Sequence, residues 1–444
     1  MTRITFIENR GKTAFWIRVA KALAANGHEI GWIVQNPAYA PPKKSGGQAV
    51  LPFPRGSDLR PLEGPVPEAL SGDRGRAFFR TGTDHYAHYT AEIARAFDML
   101  RPEVVIGEPT LFHEMIAIAE ARKRMVPYLH PTMTRYPGGR FAVLDGDTQN
   151  PVIGSGDKWE NADLTAVADA IATGRSLPSY MAKPVGVQAR RRQMQRFVAH
   201  ARTLKGRLAG EHYNTPALTT KLALEKTLQS QLVRWRRMQR LPDRGQGPII
   251  LYPLQMQPEA NIDVWGRPWS DQTVFVTRLL ATLPPGGQVA VKANPKSKYE
   301  VSESLMDLAA EQNRVVLMPL DQKMDAAQAA TTGCVTVSGT VGLEAVFGRG
   351  RTLSLRHPVL EHHFPSFHAP TPEDAVERLL IDPSAGRGDV GTGIALLTQL
   401  IADSFAGTVS EPLYDPDCLR SDNITRVVHG IETAIAATAS RQSP

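Results

Sequence analysis

Cysteine is nearly absent: Cys334 and Cys418 are the two in 444 residues. Two distant thiols exclude a disulfide framework and a cysteine-rich metal site, and they point to a reducing compartment. No apolar run approaches the roughly eighteen residues that mark a membrane span. The chain opens on Arg3-Ile4-Thr5-Phe6-Ile7, a strand pattern without the charged start and apolar run of a signal peptide, so a cytoplasmic protein is expected. No internal repeat, low-complexity tract or Asp-x-Asp metal motif stands out, and no metal dependence is expected. The turn after the first strand holds Gly11-Lys12, but neither the P-loop pattern nor the dinucleotide glycine fingerprint sits there. An NTPase and a standard NAD-binding half are therefore disfavoured.

What is present is an ordinary globular composition, 42% apolar and 21% charged, which indicates neither disorder nor a fibre. The formal charge of +7 and a pI near 9.4 suit anionic partners: nucleotides, nucleic acid or an anionic membrane surface. A chain of 444 residues suits two cores. In the first half, residues 3–7 read as strand, 14–25 as helix and 30–34 as strand, a β-α-β unit. Residues 37–80 are rich in Pro and Gly and read as a long loop with short elements. His85 to Leu100 reads as helix and residues 103–107 as strand, which places Glu108 at a carboxyl strand end, with His113 and Glu114 on the helix that follows. In a doubly wound sheet that edge is where ligands bind, while Glu108 reads equally well as a helix cap and Glu114 as a solvated charge. Arg135 and Arg140 flank a Pro-Gly-Gly turn and are candidates to hold an anionic acceptor. Asp145 and Asp147 read as turn residues beside a hairpin.

Residues 161–240 read as helix: 163–173, 187–208 and 218–239. Thirteen Lys and Arg residues between Arg190 and Arg240 face only Glu211 and Glu225. A solvated face is one reading and contact with anionic lipid head groups or a charged glycan is another. Interleaved aromatics are few, so nucleic acid is not expected as a partner. The Pro242 to Pro248 stretch reads as a linker, after which strands at 249–252, 289–292, 315–318 and 353–355 alternate with helices.

Three loops of this second half fall at carboxyl strand ends: Gln255 to Glu259, Lys292 to Pro295, and Ser338-Gly339-Thr340, where a β-branched strand breaks and restarts as a helix. Such ends share one rim of a parallel sheet. Their residue types suit a nucleotide phosphate: Lys292 as a point charge, Asn294 as an amide donor, Ser338 and Thr340 as hydroxyls, Gly339 for close backbone approach, and the helix N–H groups. Ser338 is the expected N-cap, and Glu344 the residue expected to reach a ribose hydroxyl.

Pro253-Leu254-Gln255-Met256-Gln257-Pro258-Glu259, Val291-Lys292-Ala293-Asn294-Pro295 and Ser338 to Ala345 resemble successive motifs of bacterial capsule and surface polysaccharide biosynthesis proteins. That group includes Kdo transferases and shares a His-Pro motif with sialyltransferases that use CMP-sugars. The resemblance covers mainly residues 249–357, with a looser match in the first strand, turn and helix, at Gly107-Glu108-Pro109 and at Arg135 to Phe141. It implies an α/β fold of two Rossmann-like domains facing a cleft (GT-B-like) with a helical connecting segment. The implied division is 1–180 for the acceptor domain, 181–245 for a basic helical connection, 246–395 for the nucleotide-sugar domain and 396–444 for terminal helices crossing back.

The implied activity is a glycosyltransferase that moves an acidic sugar from a CMP-activated donor to a cell-surface or capsular glycan or glycolipid acceptor, without a cofactor. Gln255, Gln257, Lys292, Asn294, Ser338, Gly339, Thr340 and Glu344 would bind the donor nucleotide, Arg135 and Arg140 the acceptor, and Glu108 or Glu259 would be the catalytic carboxylate. The basic stretch 190–240 would meet the inner face of the cytoplasmic membrane. Where those relatives often carry His before the proline, this chain has Asn294, which donates a hydrogen bond but is no general acid. A UDP-sugar transferase, a nucleotide-sugar epimerase and a non-catalytic assembly protein with a degenerate nucleotide site stand beside the first reading.

Overall fold

The computed structural model describes residues 1–176, 198, 200–245 and 247–442. Residues 187–197 and 199 of the expected basic helix lie outside that set; residues 200–209 are helical. The described chain packs as two units: residues 1–158, 200–217 and 400–442 form one, and residues 159–176 and 218–399 the other. The basic stretch is thus divided between them.

In the first unit, β1 (Arg3–Ile7), β2 (Glu29–Val34), β3 (Gly47–Val50), β4 (Val104–Ile106) and β5 (Tyr128–Met133) are parallel. β6 (Arg140–Asp145) runs antiparallel to β5, and β7 (Pro151–Ile153) and β13 (Phe405–Ala406) run antiparallel to β6. The path β13-β6-β5-β4-β1-β2-β3 means that the chain builds outward from β1 to β3, then returns to the other side of β1 with β4. The point where the order reverses lies between β1 and β4. Helix Thr13–Ala25 buries Phe15, Trp16, Val19 and Leu23, the spacing of one helical face, against the sheet. Helix Ser421–Gln442 adds Val427, Ile431 and Ala434 to the same core.

In the second unit, β8 (Ile249–Pro253), β9 (Gln288–Lys292), β10 (Val315–Leu317), β11 (Gly333–Thr336) and β12 (Thr352–Ser354) are all parallel in the order β10-β9-β8-β11-β12. Covered on both faces, such a sheet needs continuous apolar strands, as Val289-Ala290-Val291 and Ile250-Leu251-Tyr252 supply. Here the order reverses between β8 and β11. Helix Leu218–Met238 belongs to this unit: Trp235 is fully buried in its core and donates Nε1–H to the Met318 carbonyl at 2.8 Å. Both sheets are Rossmann-like and reverse once; the second is all parallel, and the first is parallel through β1 to β5 with an antiparallel edge. Among the described residues, no helix is long and apolar enough to cross a membrane.

Candidate functional site

The carboxyl rim beside a reversal point is where two neighbouring loops part and leave a crevice. In the first unit those loops are Glu8 to Lys12 after β1 and Gly107 to Leu111 after β4. Asn9 ties them together, donating Nδ2–H to Thr110 Oγ1 at 3.2 Å and to Glu114 Oε1 at 2.8 Å. Glu114 is fully buried and also accepts from the backbone N–H groups of Glu108, Thr110 and Leu111 and from the Thr110 hydroxyl. Burial pushes its carboxyl up, but a ring of donors on both oxygens favours the anion. Glu114 is therefore the pin of the loop and not a solvated charge. His113 is buried with Nε2 on the Glu8 carbonyl at 2.8 Å and Nδ1 against Asn214 Nδ2 at 3.1 Å. Burial pushes the ring down to about 3, so it is a neutral strut.

Glu108 does not cap a helix: its carboxylate ion-pairs with Lys12, with side-chain exposures of 12% and 15%. Two groups invisible from local sequence join it. Glu411, from the segment that returns to this unit, lies over Gly11 so closely that a Cβ there would overlap its carboxylate. Burial pushes the Glu411 carboxyl up and Glu108 adds to the rise, while Lys12 and Arg10 pull it back. His130 on β5 is 3% exposed; burial pushes its ring down to about 4, with Glu108 and Lys12 acting on it in opposite senses. Lys12, paired with Glu108 and within electrostatic reach of Glu411 and of the neutral His130 imidazole, completes an arrangement that can accept and hold a proton.

Glu8, like Glu114, is a fully buried carboxylate. It accepts from the Arg10 N–H at 2.6 Å and the Asn36 N–H at 2.9 Å, and burial raises it to about 7. Its bonds hold the β1 and β2 rims together.

Arg140, expected at an acceptor site, is 4% exposed and committed inside the first unit. Its Nε donates to Ser404 Oγ at 2.9 Å and its Nη2 to Ser155, Asp157 and the Ile401 carbonyl. It fastens β6 to the returning segment, because a buried guanidinium must find acceptors on every side. Arg135 is half-buried at the turn.

In the second unit the crevice between β8 and β11 is closed by a side-chain pair. Gln255 donates Nε2–H to Ser338 Oγ at 3.0 Å and accepts the Ser338 N–H at 3.1 Å. The Ser338 hydroxyl donates to the Asn261 carbonyl at 2.6 Å and is 1% exposed. Ser338 is not the N-cap: the helix is Thr340–Val346, capped at Gly339, whose N–H goes to Thr336 Oγ1 at 3.1 Å. A Cβ at Gly339 would collide with that same oxygen, so the glycine answers an internal contact. Gln257 is also consumed internally, by Asp263, the Ser270 carbonyl and Gln272. Asp263, raised to about 6 by burial, takes the Glu259 N–H at 2.9 Å and so shapes the loop. Glu344 pairs with Arg349 at 3.1 Å. Glu259 is half-buried and accepts from Asn261 Nδ2 at 3.3 Å.

Lys292 is different. It ends β9, is 6% exposed, and donates only to the Ala293 carbonyl at 3.2 Å; no carboxylate pairs with it among the described residues. Burial pushes its ammonium pKa down. Asn294 is half-buried, with Oδ1 taking the Lys296 N–H at 2.9 Å. Thr340 is half-buried at the helix start. Among the described residues, no group of His, Cys, Asp and Glu has the arrangement of a metal site. A glycine spacing of the dinucleotide type does occur at Gly386, Gly388 and Gly391, but it runs from the turn after helix Pro372–Ile381 into the start of helix Val390–Ala402, with no strand feeding it.

Fold and rims together define a class: an α/β protein of two Rossmann-like units, each with polar groups gathered at its reversal point. Among solved structures the chain is similar to CalG4, the calicheamicin glycosyltransferase, at 13% identity, 100% coverage of both chains and a TM-score of 0.25. It is similar to the UDP-GlcNAc 2-epimerase from Methanocaldococcus jannaschii at 11% identity, over 90% of this chain and 99% of that one, with a TM-score of 0.26. S. aureus MnaA, solved with UDP, gives 13% identity, 98% coverage of each chain and a TM-score of 0.26. No family model and no curated protein matches the chain. At such scores the likenesses carry no argument about activity, and the strand orders stand on their own.

Proposed function

We propose that the chain is a glycosyltransferase that moves a sugar from a nucleotide-activated donor to a glycan or glycolipid acceptor. The observation that carries this reading is Lys292, an ammonium almost out of solvent with no counter-ion among the described residues, at a carboxyl strand end of a parallel sheet. An unpaired buried charge is costly and is retained where an anion arrives to complete it. A donor phosphate fits, with Asn294 and Thr340 as neutral hydrogen-bonding groups beside it. In the transfer, the acceptor hydroxyl oxygen bonds to the anomeric carbon and the bond from that carbon to the phosphate oxygen breaks. The nucleotide leaves with the electron pair, and the hydroxyl proton passes to a carboxylate of the Lys12 centre. A CMP-activated acidic sugar is the first donor in this reading and a UDP-sugar the second, and the acceptor is a cell-surface or capsular polysaccharide.

A thermal-shift screen of the full chain against CMP, UDP, GDP and ADP tests it. A nucleotide at a hundred times its dissociation constant stabilises by about 2.7 kcal/mol, several degrees of melting temperature. No shift with any of the four overturns the reading. Turnover of the donor without acceptor assigns an epimerase instead, and binding without turnover an assembly protein.

Helix Leu218–Met238 leaves Lys221, Lys226, Arg236 and Arg237 exposed, whereas Arg234 is held by Asp307 at 2.8 Å. These four are the residues through which an anionic membrane would be met. Arg236→Ala with Arg237→Ala is expected to weaken sedimentation with phosphatidylserine vesicles by about 1 kcal/mol per residue at low salt. Binding unchanged by the pair removes the membrane from the reading.

A further inference from the structure

Helix Leu218–Met238 has two faces, and the core of the second unit takes only one of them. Gln231 and Trp235 are buried and Leu228 packs against the same core, at the i, i+3, i+7 spacing of a single stripe. By helical periodicity the opposite stripe carries Leu218, Leu222, Lys226, Gln229, Val233 and Arg236. A helix with one stripe in a core turns polar groups to water on the other. Here Leu218 is 69% exposed, Leu222 62% and Val233 44%. Single exposed leucines are ordinary, but three apolar side chains on one outward stripe form a patch about 22 Å long.

The charge around that patch has one sign. The helix holds five Lys and Arg residues and one acid, Glu225, which accepts from Gln229 Nε2 at 2.9 Å. Arg234 is taken by Asp307, whereas Lys221, Lys226, Arg236 and Arg237 are exposed and make no hydrogen bond or ion pair among the described residues. A second copy of this face would set the cations against their like, and the backbone of a nucleic acid gives the leucines nothing to enter. An anionic bilayer answers both parts. Its phosphate and carboxylate headgroups meet the cations, its acyl chains take the leucines, and the long Lys and Arg stems reach from one layer to the other.

We infer that this face docks in the interface of an anionic lipid bilayer, with Leu218, Leu222 and Val233 entering the acyl boundary and Lys226, Arg236 and Arg237 at the headgroups. The contact rests on the reading of the four exposed cations as a membrane surface and adds to it an apolar component that salt does not screen. Such docking holds the chain where a glycolipid acceptor lies.

The test sediments the full chain with vesicles of phosphatidylcholine and phosphatidylserine at low salt and at about 1 M, where the Debye length falls to about 3 Å. Wild type is expected to bind at both, more weakly at the higher. Leu218→Gln with Leu222→Gln keeps helix propensity and removes the apolar reach. This pair is expected to keep the wild-type melting temperature, to bind at least about tenfold more weakly at low salt and to lose the binding at high salt. Arg236→Ala with Arg237→Ala is expected to weaken binding at low salt and to keep what remains at high salt. Cys334 and Cys418 are buried, so an environment-sensitive fluorophore attached in Val233→Cys reports depth, and its emission is expected to move to shorter wavelength on vesicle binding. Unchanged binding of the leucine pair beside a weakened arginine pair overturns the inference and leaves a purely electrostatic membrane contact. Complete loss of wild-type binding at high salt, or an unshifted fluorophore on a bound chain, does the same. No binding of wild type at either salt removes the membrane reading of the cations and the inference with it. Self-association of wild type that the leucine pair abolishes assigns the face to a second copy and overturns the inference likewise.

Discussion

Lys292→Met is expected to lower nucleotide affinity at least about thirtyfold, close to 2 kcal/mol, while raising the melting temperature of the free protein. The two effects have one cause. In the free chain the ammonium is 6% exposed and donates only to a neighbouring carbonyl, so removing its charge relieves a desolvation cost. Methionine keeps the unbranched shape among Val291, Ala293 and their neighbours. In the proposed nucleotide complex the same charge faces phosphate, and its loss would leave the anion unmatched. The stability gain carries a pH signature. Burial depresses the ammonium pKa below its unfolded value of 10.5, so between the two values the unfolded chain binds more protons and wild-type stability rises with pH. The advantage of Lys292→Met should be full well below the folded pKa and shrink as pH climbs through it towards 10.5. Calorimetric titration with thermal unfolding from neutral to alkaline pH checks both. A variant that binds nucleotide normally, or that is less stable at neutral pH, removes the donor phosphate from Lys292.

Both Rossmann-like sheets were legible because parallel strands buried on two faces must be continuous apolar runs, and runs such as Ile249-Ile250-Leu251-Tyr252 have no other use. β3 was not: Gly47-Gln48-Ala49-Val50 is too short to show a period, and it lies in a Pro- and Gly-rich stretch that reads as loop. Nor is Arg74–Phe78 legible, five residues with an Asp73 cap whose helix depends on neighbours supplied by Tyr86 and residue 213. The grouping of residues 400–442 with the first unit, which the resemblance implied as helices crossing back, rests on β13 pairing with β6, on the Arg140 bonds to Ile401 and Ser404 and on the core face of helix Ser421–Gln442, contacts that no local pattern announces.

The rim positions follow from strand ends, so Glu108, Lys292 and Ser338 could be named from sequence, but what each side chain does there could not. Gln257, Ser338 and Glu344 have the chemistry to hold a nucleotide, and the fold spends it on Asp263, Asn261 and Arg349. A hydrogen-bonding residue type is the same whether its partner is a ligand or a backbone carbonyl, so only geometry separates the cases. Glu411 is the clearest omission. It closes over Gly11 from 400 positions away in the chain, within electrostatic reach of Lys12, and the glycine was legible only as a turn residue.

Glu411 and Glu108 frame the expected result with the largest effect on turnover. Glu411→Gln and Glu108→Gln are each expected to lower kcat by about a hundred- to ten-thousandfold, the range for loss of a positioned general base, with nucleotide affinity unchanged. Glu108 is engaged by Lys12, whereas the Glu411 carboxylate accepts no hydrogen bond among the described residues and is raised by burial, which brings it nearer to the working pH of a proton acceptor. The pH profile separates their roles. Activity falls on the acid side as Glu411 takes its proton. Glu108 raises the Glu411 carboxyl through its charge, so in Glu108→Gln the acid limb of the residual activity should move to lower pH. Lys12 lowers it, so Lys12→Met should move the limb to higher pH. In Glu411→Gln the limb should vanish. Because the three groups act as a unit, the double variant Glu108→Gln with Glu411→Gln should lose little more than the worse single variant. Glu259→Gln, on the second unit, should keep its turnover. Loss of activity in Glu259→Gln alone, with both first-unit variants near wild type, would place the base on the loop after β8 and leave the Lys12 centre a structural one.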